Sequence, residues 1–243
     1  MHIKASSLPR LFLMSNYKTV IPEELLALYE VHDYHHAAAI LHIDFPDLFK
    51  EVCECLLAFR FKEDWITKPG GSESEIPKAF SSLFRPMGWK ETELEAKLVV
   101  TEKLRRLEPG TESPVTGSTE QDTHEVVYGT HNIDYVKGLV AVDLEWNSKD
   151  QTFDRDLYAF RAFFDYGKID VGILITRSNN LDPYFVTLGK YIDKNGVERY
   201  YKDKYGASTT HMGKLLPRMN AGRQGGCPIL VFGITSQLLE KKA

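Results

Sequence analysis

NIDYVKGLVAVDLEW, residues 132–146, is Val-rich strand material that nevertheless carries three carboxylates, Asp134, Asp143 and Glu145. Side chains two apart on a strand leave the same face, so Asp143 and Glu145 point into one small volume. Lys137-Gly138 reads as a turn, and it lets Asp134 close on that pair from the preceding strand. Each acid would cost several kcal/mol if buried without a partner. Clustered carboxylates repel one another and are tolerated together around a hard cation such as Mg²⁺, which takes oxygen ligands and keeps several waters. The motif also has an ordinary explanation, in which Asp134 caps a turn, Asp143 faces solvent and Glu145 pairs with Lys149 or Arg155. A glycosidase pair fits less well, because that chemistry places its carboxyls on opposite sides of a sugar cleft and these converge.

Working outward, the polar NSKDQTFD leads into a helical pattern, RDLYAFRAFFDYG, and then into the apolar run IDVGILITR. Strand, helix, strand is a βαβ unit, and DVGILIT lacks polar alternation because both of its faces would be buried. Further on, YFVTLGKYI reads as a strand, DKNGVERYY as a hairpin turning at Asn195-Gly196, and CPILVFGIT as a last buried strand. Upstream, IPEELLALYE opens a helix. DYHHAAAILHIDFPDLFKEVCECLLAF follows with apolar positions three and four apart and a break at Asp44 and Pro46. IPKAFSSLFRPMGWKETELEAKLVVTEKL reads as a further helix interrupted near Pro86 and Gly88. Residues 108–124, rich in Gly, Pro, Ser and Thr, read as an exposed loop. The expected fold is therefore a single α/β domain spanning 1–243. A helical layer covers about residues 20–105, and a mixed central sheet flanked by helices occupies about 125–243.

Composition excludes several classes. Cys53, Cys55 and Cys227 are too few for a disulfide framework, and Cys53 and Cys55 are spaced wrongly to share zinc. No apolar run approaches the ~18 residues a membrane span needs, and the N-terminus lacks the long apolar core of a secretion signal. A cytoplasmic protein is the expectation. The net charge of -4 says little about partners, since the charge of a site can oppose that of the whole.

The order I-D, a short loop, then an apolar strand ending acid-x-acid resembles the core of the PD-(D/E)XK nucleases. Most of that superfamily has Lys where this chain has Glu145, and Glu there resembles BamHI. The likeness continues through NSKDQTFDRDLYAFRAFFDYGKIDVGILITR and, upstream, through DYHHAAAIL, FKEVCECLLAF and SEIPKAFSSLFRPMGWKE. Together these identify the chain as similar to the type II restriction endonucleases of the BglII, BstYI and BamHI group. The resemblance implies a Mg²⁺-dependent prokaryotic enzyme using one or two ions, with Mn²⁺ as a substitute. It implies a homodimer that cuts double-stranded DNA at a GATC-containing palindrome and leaves 5′ overhangs. GGATCC, AGATCT and RGATCY all satisfy that description.

Carried onto this chain, the resemblance makes Asp134 and Asp143 metal-binding catalytic acids and sets Glu145 in the place of the usual Lys. A carboxylate there can act as a general base but cannot offer positive charge to the phosphate. Glu91 matches a further acid of the metal site, and Lys78 matches a DNA-contacting Lys. Reading a sequence needs donors and acceptors at base edges and cations at phosphates. Asn147, Ser148, Lys149, Asp150 and Gln151 after the first strand, and Arg177, Ser178, Asn179 and Asn180 after the second, are the expected DNA surfaces. Lys214, Arg218 and Arg223, amid glycines, are either further phosphate contacts or a connection into the last strand. His35, His36 and His211 have no spacing that marks ligands, and His131, beside Asp134, is the one histidine near the site; a structural or surface role is expected for each. The competing expectations are a DNA-binding protein that keeps the fold without cleavage, and a structure-specific repair nuclease.

Overall fold

A computed structural model of the protein describes residues 16–68, 74–107, 110, 114–193 and 195–240. The N-terminal stretch weighed above as a secretion signal lies largely outside them. Helices α1 (Glu23–Leu28), α2 (Ala37–Asp44), α3 (Pro46–Ala58), α4 (Glu63–Thr67) and α5 (Glu75–Phe84) make up most of the N-terminal third. Pro46 opens α3 at the one place in a helix where its missing N–H costs nothing. Strand β1 (Tyr29–Tyr34) is set among these helices, where the sequence suggested helix alone.

Strands β2 (Lys90–Leu107), β3 (Pro114–Lys137), β4 (Val140–Glu145) and β5 (Val171–Arg177) follow, with α6 (Thr152–Asp165) between the last two. Then come α7 (Asp182–Thr187), β6 (Lys190–Ile192), β7 (Glu198–Tyr200), α8 (Tyr201–Lys204), α9 (Met212–Asn220) and β8 (Ile229–Ile234). The main sheet has six strands in the order β1-β8-β5-β4-β3-β2, and β6 and β7 form a separate hairpin. β4, β5 and β8 run parallel, while β1 is antiparallel to β8 and β3 to β4. β4 and β5 are joined through α6, the expected βαβ unit. β3 turns into β4 at Gly138, whose φ of 58° suits a tight hairpin turn and is strained for other residues.

β4, β5 and β8 are buried along their whole length, so each is covered on both faces. Val140, Val142, Leu144, Val171, Ile173, Ile175, Leu230 and Phe232 share one hydrophobic core with the N-terminal helices. Phe59 stacks on Phe80 at 4.1 Å between ring centres, and Phe84 stacks on Tyr135 of β3 at 4.8 Å. Each such fully buried ring contributes about 2–3 kcal/mol. Residues one position out of phase face the other way, towards α6 and α9. A Cβ at Gly172 of β5 would come within 2.7 Å of the Phe160 ring, so glycine there lets α6 lie close against the sheet. Lys137 reinforces the β3–β4 turn by donating to both Glu51 oxygens at 2.7 Å and to the Met87 carbonyl at 2.8 Å.

Thr92–Asn132 form a second compact unit, distinct from the one made by residues 1–91 and 133–243. It consists of most of β2 and β3, a two-stranded ribbon that overturns two expectations. The helix expected to continue beyond Gly88 is strand from Lys90, and the supposed loop 108–124 is strand from Pro114, its residues 108, 109 and 111–113 lying outside the described set. KETELEAKLV alternates with period two, but Glu, Lys, Leu and Ala are strong helix formers and suggested otherwise. Among the described residues of the ribbon, Leu98, Val99, Val126 and Val127 are all exposed, so burial does not set their apolar pattern. YFVTLGKYI is also corrected. Its first part is α7, started by Asp182-Pro183, and only Lys190–Ile192 is strand.

Candidate active site

Asp143 and Glu145 project from the α6 side of β4, and both are buried. α6 answers with Asp156. Its apolar stripe, Phe153, Leu157, Phe160 and Phe163, packs towards the sheet, and Asp156 sits on that stripe three residues after Phe153 and four before Phe160. Ligand oxygens of Asp143, Glu145 and Asp156 all lie within 4.8 Å of one another, the metal-compatible group of acids found among the described residues. Asp156 was not singled out from sequence, although an acid inside an apolar helical stripe was a readable signal.

The electrostatics of this group are those of crowded charges out of water. Burial raises the Asp143 carboxyl well above the usual range, and the charges of Asp156, Asp134 and Glu145 push it further. Asp156 is pushed up to about 8, first by burial and then by the Glu145 charge, with Arg155 opposing. Glu145 is raised by burial, with the nearby Ser148 and Asp156 side chains and the Arg155 charge pulling the other way. Glu145 Oε2 and Asp156 Oδ2 are buried without a hydrogen-bond partner. Two unpartnered carboxylate oxygens facing a third acid are what a hard cation would satisfy, so the donor set fits a divalent metal. Arg155 reaches the outer side of the group, with Nη2 3.7 Å from Glu145 Oε1 and Nε 3.2 Å from Asp156 Oδ1.

The remaining expected residues are distributed as follows. Asp134 neighbours the group without joining it. Its Oδ2 accepts the Leu144 N–H at 3.1 Å and its own N–H donates to Asp143 Oδ1 at 3.4 Å, while burial raises its pKa. Glu91 stands largely exposed beside Arg85 at 3.8 Å, near enough for its charge to raise Asp134. Lys78, on α5, is half exposed and lies 3.8 Å from Glu75.

In the first loop, Asn147 has a left-handed backbone with φ 58° and a buried Oδ1 without a partner. Ser148 donates its N–H to Thr210 Oγ1, Asp150 donates its own to the Ser208 carbonyl, and Lys149 and Gln151 are exposed. In the second cluster Asn179 and Asn180 are exposed, with Asn179 accepting from Gly213 N and Asn180 from Ser236. Ser178 is buried and donates to Glu30.

Arg177 departs most from the expectation of a DNA contact. It is fully buried, paired with Asp182 at 2.8 Å, bonded to the Tyr205 carbonyl and Thr209 hydroxyl, and held over the Phe185 and Tyr205 rings. Such a guanidinium organises the loops around it and is not exposed to a ligand. The glycine-rich segment resolves the same way. Arg218 binds Asp150 and Asp154, and the exposed Arg223 binds Asp154, so both cations are paired with acids of the protein itself.

Among the described residues no helix is long and apolar enough to cross a membrane. None of the curated proteins compared with the chain matches it significantly. The family model described as restriction endonuclease BglII/BglIII matches residues 29–234. That span starts with β1, ends with β8, and takes in the whole six-stranded sheet together with the acidic group on β4 and α6. The chain therefore belongs to the BglII/BglIII restriction endonuclease family, type II site-specific deoxyribonucleases that act on double-stranded DNA.

Proposed function

We propose that the protein works as one Mg²⁺-dependent restriction endonuclease domain, a homodimer that cuts double-stranded DNA at a GATC-containing palindrome and leaves 5′ overhangs. The observation that carries the metal-dependent reading is the buried group of Asp143, Glu145 and Asp156 with two oxygens unpartnered. Asp143 and Asp156 would hold the ion, with Glu145 between them and water, and Asp134 and Glu91 would adjust the charge on the β3 side. Bound there, a hard divalent cation supplies an acidified water and neutralises charge on the phosphate.

The chain's own residues do the rest. Glu145 Oε2 accepts the proton of the attacking water, whose oxygen bonds to phosphorus in line with the P–O3′ bond. That bond breaks, and the departing 3′ oxygen takes a proton from solvent. Asp134, anchored on Leu144 N, keeps β3 and β4 in register so that Asp143 does not turn away. Lys149, Gln151, Asn179 and Asn180, all exposed at the carboxyl ends of β4 and β5, would meet the DNA. Lys78, Asn147, Ser148 and Asp150 would support that surface.

Incubating the purified protein with phage DNA and Mg²⁺ tests this. Discrete fragments with GATC in their ends are expected, and sequencing the ends reads the outer base pairs. Intact DNA across Mg²⁺ and Mn²⁺ would overturn the proposal, and binding without cutting would favour a recognition protein. Sedimentation at micromolar concentration checks the dimer.

A further inference from the structure

The acids of this site create a difficulty for their own substrate. Asp143, Glu145 and Asp156, with Asp134 beside them, can carry four negative charges, and one divalent ion cancels two. A phosphodiester brings another negative charge towards the remainder. Some positive charge of the protein's own has to meet it, and Arg155 is placed to do so.

Its guanidinium lies 3.2 Å from Asp156 Oδ1 and 3.7 Å from Glu145 Oε1, while the side chain is 67% exposed and those of the acids are 3% and 9% exposed. Arg155 therefore spans from the buried carboxylates to open solvent. It engages the outer oxygens and leaves Glu145 Oε2 and Asp156 Oδ2 unpartnered, so it does not simply neutralise the group. Helix electrostatics do not account for it either. It occupies the fourth residue of α6, within the first turn, where a cation is disfavoured. Arg85, whose charge favours ionised Asp134, lies over the Tyr135 ring and 3.8 Å from Glu91.

We propose that Arg155 is the phosphate-binding cation of this site. Without DNA it rests on Asp156 and Glu145. With DNA bound, its planar fork grips a non-bridging oxygen of the scissile phosphate and follows the charge that builds there as water attacks. The assignment rests on the endonuclease reading above, and it adds a protein-borne positive charge that the acid-x-Glu motif lacks.

The test uses full-length Arg155→Gln and Arg155→Lys, each checked for folding by its thermal melt. Wild type is first shown to cut phage DNA in Mg²⁺. If it does not, the endonuclease reading fails, and the proposal with it. Given cutting, three measurements decide the role of Arg155. Single-turnover cleavage by Arg155→Gln should fall about 100-fold or more, and Arg155→Lys should recover to within about 10-fold of wild type. Binding to a duplex carrying the cut sequence, measured in Ca²⁺ against salt, should lose about one unit of log-log slope per subunit in Arg155→Gln. Mn²⁺ binding by the DNA-free Arg155→Gln protein should be as tight as wild type or tighter, since a competing cation has gone. Unchanged cleavage and salt slope in Arg155→Gln would overturn the proposal. So would loss of Mn²⁺ binding, which would make Arg155 an organiser of the acids.

Discussion

Replacing Asp156 by Asn removes an acid whose ionisation the metal-free fold opposes, and the size of the effect follows from the surroundings of the carboxyl. In the folded chain Asp156 stays protonated to about pH 8, because it is buried beside Glu145. Once unfolded it ionises near pH 4. The folded pKa is the raised one, so the unfolded state binds fewer protons above pH 4. This group therefore costs no stability at low pH, and the penalty grows as pH climbs towards 8. Near pH 7 about three pH units of that difference apply, or about 4 kcal/mol at ~1.4 kcal/mol each. Rearrangement of Arg155 and Glu145 in the wild type takes up part of it, so about 2 kcal/mol is expected to remain.

The Asn variant should then melt roughly 4–8 °C above wild type near pH 7 in chelator, at ~2–4 °C per kcal/mol for a chain of this size. The gap should shrink towards nothing at pH 4. Adding Mn²⁺ should raise the melting temperature of wild type more than that of the variant, because the variant has lost a ligand. Circular dichroism melts at three pH values, with and without Mn²⁺, suffice. A variant that melts at or below wild type near pH 7 in chelator would refute the argument, since Asp156 would then be a structural hydrogen-bonding group and not a repelled charge.

Asp143→Ala should abolish cleavage while the protein still binds its duplex in Ca²⁺, as gel shift would show; normal cutting would place the catalytic centre elsewhere. Glu145→Lys should also lose cleavage, because it sets a second cation beside Arg155 and removes the acceptor for the proton of water; single-turnover rates within about 10-fold of wild type would contradict the assigned role. Arg177→Met should lower stability by about 1–3 kcal/mol, chiefly by leaving the buried Tyr205 carbonyl without its donor, with the salt dependence of DNA binding unchanged. A urea midpoint equal to wild type, or a reduced salt slope, would count against the buried role of Arg177.

What the sequence disclosed, and what it hid, follows from where each element gets its order. The βαβ unit was legible because β4 and β5 are apolar throughout and α6 has a clear stripe, patterns imposed by burial on both faces of one sheet. Asp143 and Glu145 were legible because alternation on a strand fixes their common face. Asp156 lies on another element, and only the packing of α6 through Gly172 brings it in. Arg177 looked like a recognition residue because strand ends face ligands in folds of this kind. Its burial depends on Asp182, Tyr205 and Thr209, which no local pattern connects to it. The start of β2 and the part of β3 before residue 125 were misread because their described side chains are mostly exposed, which leaves composition to speak alone.

The pairing of β1 with β8 joins Tyr29 to Ile234 across about 200 residues, and β8 lies between β1 and β5 in the sheet. While the polypeptide is being made, β4, α6 and β5 can meet early, but the far edge of β5 stays bare until residues 229–234 have left the ribosome. Contacts so distant along the chain make for late and slow closure. For an enzyme whose substrate is chemically the same as the genome of the cell making it, the topology sets an interval between translation of the acids and assembly of the scaffold that aims them.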